Sequence, residues 1–209
     1  SASSTSTATP ATVAGAPTAL TATAGNAQAS LSWTAPASNG GASITDYLIE
    51  YSSNGGSTWS SFAHTPSAAT TITVTGLTNG TQYTFRVSAI NSAGTGSASS
   101  TATATPVTVP GAPTALAATA GNAQASLSWT APASNGGSAI TDYLVEFSSN
   151  GGTSYSSFAH TPSTATSITV TGLTNGASYT FRVSAINSVG TGSASSTATA
   201  TPATVAGAP

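Results

Sequence analysis

Leu77–Gly94 reads LTNGTQYTFRVSAINSAG. Tyr83, Phe85, Val87 and Ala89 alternate with Thr84, Arg86 and Ser88. A period of two places one set on each face of a half-buried strand. Asn79-Gly80 before the strand, and Asn91 to Gly96 after it, tolerate positive φ and mark chain reversals. The stretch returns 96 residues later as LTNGASYTFRVSAINSVG, Leu173–Gly190. Trp33 recurs as Trp129, His64 as His160 and Arg86 as Arg182, so the chain is an array of near-identical modules. The copies differ at about 15 of 96 positions, and Ile49/Val145, Tyr51/Phe147 and Trp59/Tyr155 preserve shape.

The same alternation continues outward from this strand. Ala29, Leu31 and Trp33 alternate with Ser30 and Ser32; Tyr47, Ile49 and Tyr51 with Leu48 and Glu50; Ile72 and Val74 with Thr71, Thr73 and Thr75. Clusters of Gly and Asn fall between these runs, at Ala24–Asn26, Asn39–Gly41 and Asn54–Gly56. Short alternating strands at near-regular spacing predict a β-sandwich. Ser97–Thr105 holds only Ser, Thr and Ala, and becomes a strand only beside a hydrophobic partner.

Composition narrows the function. Asp, Glu, Lys and Arg make up 3% of the chain, there is no Cys, and the net charge is −2. Nucleic acid binding needs a dense set of cations and is excluded. Without Cys there is no disulfide framework or thiolate metal site. No apolar run approaches the ~18 residues of a membrane span. Disorder is excluded for most of the chain, because disordered segments lack the aromatic and β-branched residues that recur here. Neutral surfaces tend to associate, which suits a fibre better than a free enzyme.

The Leu77–Gly94 stretch resembles the E–F corner and F strand of a fibronectin type III domain. Ala16-Pro17 opening strand A, Trp33 on strand B and Tyr47–Tyr51 on strand C carry the same resemblance, as do Pro113, Trp129, Tyr143–Phe147 and Leu173–Asn187. Asn79 and Asn175 stand where the family commonly has Pro. The resemblance implies an all-β chain of two tandem seven-stranded immunoglobulin-like sandwiches in a linear array, with Tyr83 and Tyr179 as tyrosine corners. Residues 17–105 and 113–201 are the expected domains, with semi-extended linkers at 10–16, 106–112 and 202–209. Residues 1–9 (SASSTSTAT) match Ser97–Thr105, and are expected to be the last strand of a preceding repeat. Such domains are expected to follow one another like beads, each ~25–30 Å long if strands of about 7–9 residues set the length.

Titratable side chains are few: Asp46, Glu50, His64 and Arg86 in one repeat, and Asp142, Glu146, His160 and Arg182 in the other. Glu50 and Arg86 are expected to form a cross-strand ion pair worth less than ~1 kcal/mol. No nucleophile elbow, phosphate loop or HExxH pattern is present, and neither a catalytic site, a cofactor nor a metal is expected. The aromatics Trp59, Phe62, Tyr155 and Phe158 near strand C′ are candidates for a ligand or assembly contact. Asn79 heads an Asn-Gly-Thr sequon that its counterpart Asn175 lacks, and is a glycosylation candidate.

The expected role is non-enzymatic: a stalk, spacer or filament body of a long extracellular, bacterial cell-surface repeat protein. The expected partners are neighbouring repeats of the same chain, and identical chains if filaments form. The alternatives are an adhesin module that binds carbohydrate or protein through the C–C′ aromatics, and the spacer of a secreted polysaccharide-degrading enzyme.

Overall fold

The computed structural model describes residues 10–204. The chain divides into two compact units between Pro106 and Val107. The expected strand at residues 1–9, and residues 205–209 of the last linker, lie outside the described residues.

The first unit holds β1 (Thr18–Gly25), β2 (Gln28–Thr34), β3 (Asp46–Ser52), β4 (Ser60–Ser61), β5 (Thr71–Thr75), β6 (Tyr83–Asn91), β7 (Gly94–Ala98) and β8 (Ala102–Ala104). One sheet has the order β1-β2-β5. The other runs β4-β3-β6-β7, with β8 also on β6. The second unit repeats the plan with β9 (Thr114–Gly121), β10 (Gln124–Thr130), β11 (Asp142–Ser148), β12 (Ser156–Ser157), β13 (Ser167–Thr171), β14 (Tyr179–Ile186), β15 (Thr191–Ala194) and β16 (Ala198–Ala200). Each unit is an all-β sandwich. Among the described residues no helix is long and apolar enough to cross a membrane.

The alternation in sequence becomes the core. Ala29, Leu31 and Trp33 of β2 face Tyr47 and Ile49 of β3 and Phe85, Val87 and Ala89 of β6, all buried. The second unit builds its own core from Leu127, Trp129, Tyr143, Val145, Phe181 and Val183. Trp33 and Tyr47 meet edge to face at 5.0 Å, a geometry favoured by the ring quadrupoles. The Tyr83 hydroxyl accepts a bond from the Thr78 amide at 3.1 Å and closes the corner before β6. At Tyr179 the amide of Thr174 does the same, favouring the phenolate, so this phenol sits below its ordinary pKa.

The strand expected over Ser97–Thr105 is split into β7 and β8 by residues 99–101. The cause is Ser99. Its amide donates to Val87 O at 2.8 Å, while its hydroxyl accepts from Val87 N at 3.2 Å. A side-chain oxygen thereby replaces a ladder carbonyl, and the strand kinks without leaving a buried donor unpaired. Ser195 repeats the arrangement.

Residues 10–16 and 106–112, the linkers expected from the sequence, bond to the loops after β2 and β10. Thr12 N donates to Gly40 O and Gly15 N to Ser38 O; Thr108 and Gly111 do the same with Gly136 and Ser134. Ala14 is buried. A Cβ on Gly40 or Gly96 would run into the backbone oxygens of Thr12 and Ala14, so the close approach needs glycine at both positions.

The β1–β2 hairpin turns through Asn26-Ala27, and Ala27 has φ 52°. A left-handed conformation costs a non-glycine residue about 1–2 kcal/mol. The turn is held by Asn79, which accepts from Ala27 N at 2.8 Å and donates to Asn26 Oδ1 at 2.9 Å. Ala27→Gly keeps these bonds, relieves the strain and adds chain entropy to the unfolded state. It is expected to stabilise the first unit by about 0.5–1 kcal/mol in urea melts.

Candidate functional site

Glu50 and Arg86 are directly opposite in the β3–β6 register. Both point away from the core. Arg86 donates Nε to Glu50 Oε2 at 2.7 Å and Nη2 to Oε1 at 3.0 Å, a bidentate fork. Hydrogen bonding to Glu50 raises the Arg86 pKa above its ordinary value. Arg182 and Glu146 form the same pair.

Trp59 covers this pair. The Arg86 guanidinium carbon lies 4.1 Å from the Trp59 ring centre, and that of Arg182 lies 3.9 Å from Tyr155. The loop before β4 fixes the indole. Ser52 Oγ accepts from Gly56 N at 2.9 Å, and Asn54 Oδ1 accepts from Thr58 N at 3.0 Å. A Cβ on Gly56 would press against the indole at 3.2 Å.

Phe62 lies elsewhere. It follows β4, where period two turns it to the face opposite Trp59, and it packs against the core. It also stacks on His64 at 6.4 Å. Phe158 repeats this in the second unit. The candidate aromatics therefore divide: Trp59 and Tyr155 join the ion pairs, and Phe62 and Phe158 join the core margin. Cation–π stacking at such a site contributes about 0.5–1 kcal/mol. Trp59→Tyr is expected to change stability by less than about 0.5 kcal/mol, because Tyr155 makes the same contact in the second unit. Trp59→Ala is expected to cost about 1 kcal/mol, measured by the same denaturation.

The other polar candidates are also engaged within their own unit. His64 Nε2 faces Tyr47 O at 2.9 Å and Nδ1 faces Thr65 O at 3.0 Å. Asp46 Oδ1 accepts from Ser67 N at 3.0 Å and lies 3.9 Å from His64 Nδ1. His160 and Asp142 repeat each of these contacts. Asn79 holds the β1–β2 turn, and Asn175, outside any sequon, holds the equivalent turn. The role common to both copies is this clamp.

Asn91, seen in the sequence only as a turn residue, is buried. Its amide nitrogen donates to Thr12 O at 2.8 Å and Asn39 O at 2.7 Å, and its oxygen accepts from Ala93 N at 2.9 Å. Three separate segments are joined through one side chain.

Comparison with known proteins agrees with this architecture. The family model for "Fibronectin type III domain" matches residues 15–105 and 111–201. Chitinase A1 of Niallia circulans is 37% identical over 177 residues, covering 80% of this chain and 22% of that protein. Myomesin-2 of Homo sapiens is 30% identical over 173 residues, covering 80% of this chain and 12% of that protein. Titin of Drosophila melanogaster is 32% identical over 167 residues, 78% of this chain and 1% of titin. The chain thus spans less than a quarter of the length of each of these relatives. The matches to both halves, together with the repeated sandwich and its tyrosine corner, establish that the chain belongs to the fibronectin type III family, with two domains in tandem.

Proposed function

We propose that this chain is a non-enzymatic structural segment of a long extracellular repeat protein, acting as stalk, spacer or filament body at a bacterial cell surface. One observation carries the reading. The chain has two Lys or Arg, four Asp or Glu and two His, and every one of them is bonded within its own unit, identically in both copies. Catalysis needs titratable groups converging on a space a reactant can occupy. Here those groups join strand to strand and loop to strand. Repetition of one such module along a line produces length and multiplicity. The similarity to myomesin-2 and titin favours a structural role.

The resemblance to chitinase A1 favours a second reading, the spacer of a secreted polysaccharide-degrading enzyme. The parent protein, isolated from its source, distinguishes the two. Release of soluble sugar from an insoluble polysaccharide supports the spacer of an enzyme. A parent dominated by further repeats, with no such release, supports the stalk or filament.

A further inference from the structure

Each sandwich has four sheet edges, and in the first unit three of them are interrupted or minimal. β4 is two residues long. The β7–β8 edge is broken at Ser99. β1 has a register shift between Thr18 and Thr21, with Ala19 at φ 52°. Short length, breaks and bulges are the usual means of blocking sheet-to-sheet association.

β5 has none of these features. Thr71-Ile-Thr-Val-Thr75 pairs with β2 without interruption, from Gln28↔Thr75 to Ser32↔Thr71. It contains no Gly, Pro or charge, and every residue is β-branched. Among the described residues it pairs with β2 alone. Trp33 N donates to Thr70 O, so by alternation Ile72 and Val74 bond to β2. The amides and carbonyls of Thr71, Thr73 and Thr75 point to the open edge.

We infer that β5 of one chain pairs antiparallel with β5 of a second copy, about a twofold axis through Thr73. The sequence is self-complementary for this pairing. Thr73 meets Thr73, Thr71 meets Thr75, and half-buried Ile72 meets Val74. The free donors and acceptors fall in the closely spaced, bonded pairs of an antiparallel ladder. Cross-strand Thr pairs are favourable on the outer face. That face is uncharged: Thr23, Ser30, Ser32, Thr71 and Thr73 line a shallow hydroxyl-rich depression on it. No like charge opposes the approach. β13 offers the same edge with Ser167 in place of Thr71, so each unit contributes one contact and many units add avidity. This inference rests on the structural reading above and names its partner, an identical chain.

The test uses the full 209-residue chain in sedimentation velocity from about 10 μM to 1 mM. The wild type is expected to associate reversibly. The double variants Thr73→Lys/Thr169→Lys and Thr73→Glu/Thr169→Glu change exposed side chains and place like charges across the axis. Each is expected to weaken association by about tenfold or more. An equimolar mixture of the two is expected to restore it, which a folding defect would not do. A wild type that stays monomeric throughout overturns the inference, as do variants that associate like the wild type. Neither result touches the reading as a single-chain stalk, which the parent protein tests separately.

Discussion

Phe85→Ala is expected to unfold the first unit selectively. Phe85 lies on the central strand β6 and is completely buried. Truncating such a ring removes its transfer free energy and leaves a cavity, at a cost of about 3–5 kcal/mol. A domain of this size has about 5–13 kcal/mol to lose. The two cores share no residue, so the loss stays in one unit. Calorimetry of the variant is expected to show two transitions, one near the wild-type temperature and one lower by roughly 15–30 °C. Phe181→Ala is the mirror experiment, and it is expected to lower the other unit. A single transition that moves as a whole would show that the units do not unfold independently.

Asn91→Asp is expected to cost the first unit about 2–4 kcal/mol. The asparagine nitrogen donates to two backbone carbonyls, Thr12 O and Asn39 O. A carboxylate there has nothing to donate, and it confronts both oxygens with negative charge in a buried site. Both carbonyls lose a partner, although Ala93 N keeps its acceptor. Asn91→Ala is expected to be similarly costly, since it removes the donor to Thr12 O, leaves Asn39 O only the long bond from Ala42 N at 3.5 Å, and strips the Ala93 amide of its acceptor. The freed segment is the one before β1. Amide hydrogen exchange at Thr12 and Gly15 is therefore expected to rise before global unfolding does. Unchanged exchange would mean that Asn91 does not hold this segment.

The elements that rest on period-two alternation were legible in the sequence. Ala29-x-Leu31-x-Trp33 and Tyr83-x-Phe85-x-Val87 specify both the strands and their inward faces. The Glu50–Arg86 pair was legible as well, because adjacent strands put the two outward residues side by side. Other features depend on bonds between residues far apart in the chain. Asn79 and Asn91 read as turn formers, yet each reaches across more than 50 residues. Ser99 reads as one more Ser in a polar strand, and only its place beside Val87 makes its hydroxyl a substitute carbonyl. Trp59 and Phe62 look like one aromatic cluster, but the short strand β4 between them sends them to opposite faces. The left-handed turn at Ala27 has no signal in its residue type. Its support comes from Asn79, 52 residues further along the chain.

Electron microscopy of the native, full-length material is the most direct test of the structural role. Elongated threads or filaments, with beads about 25–30 Å apart along their length, are the expected result. Compact particles in which these domains do not extend along a line would contradict it.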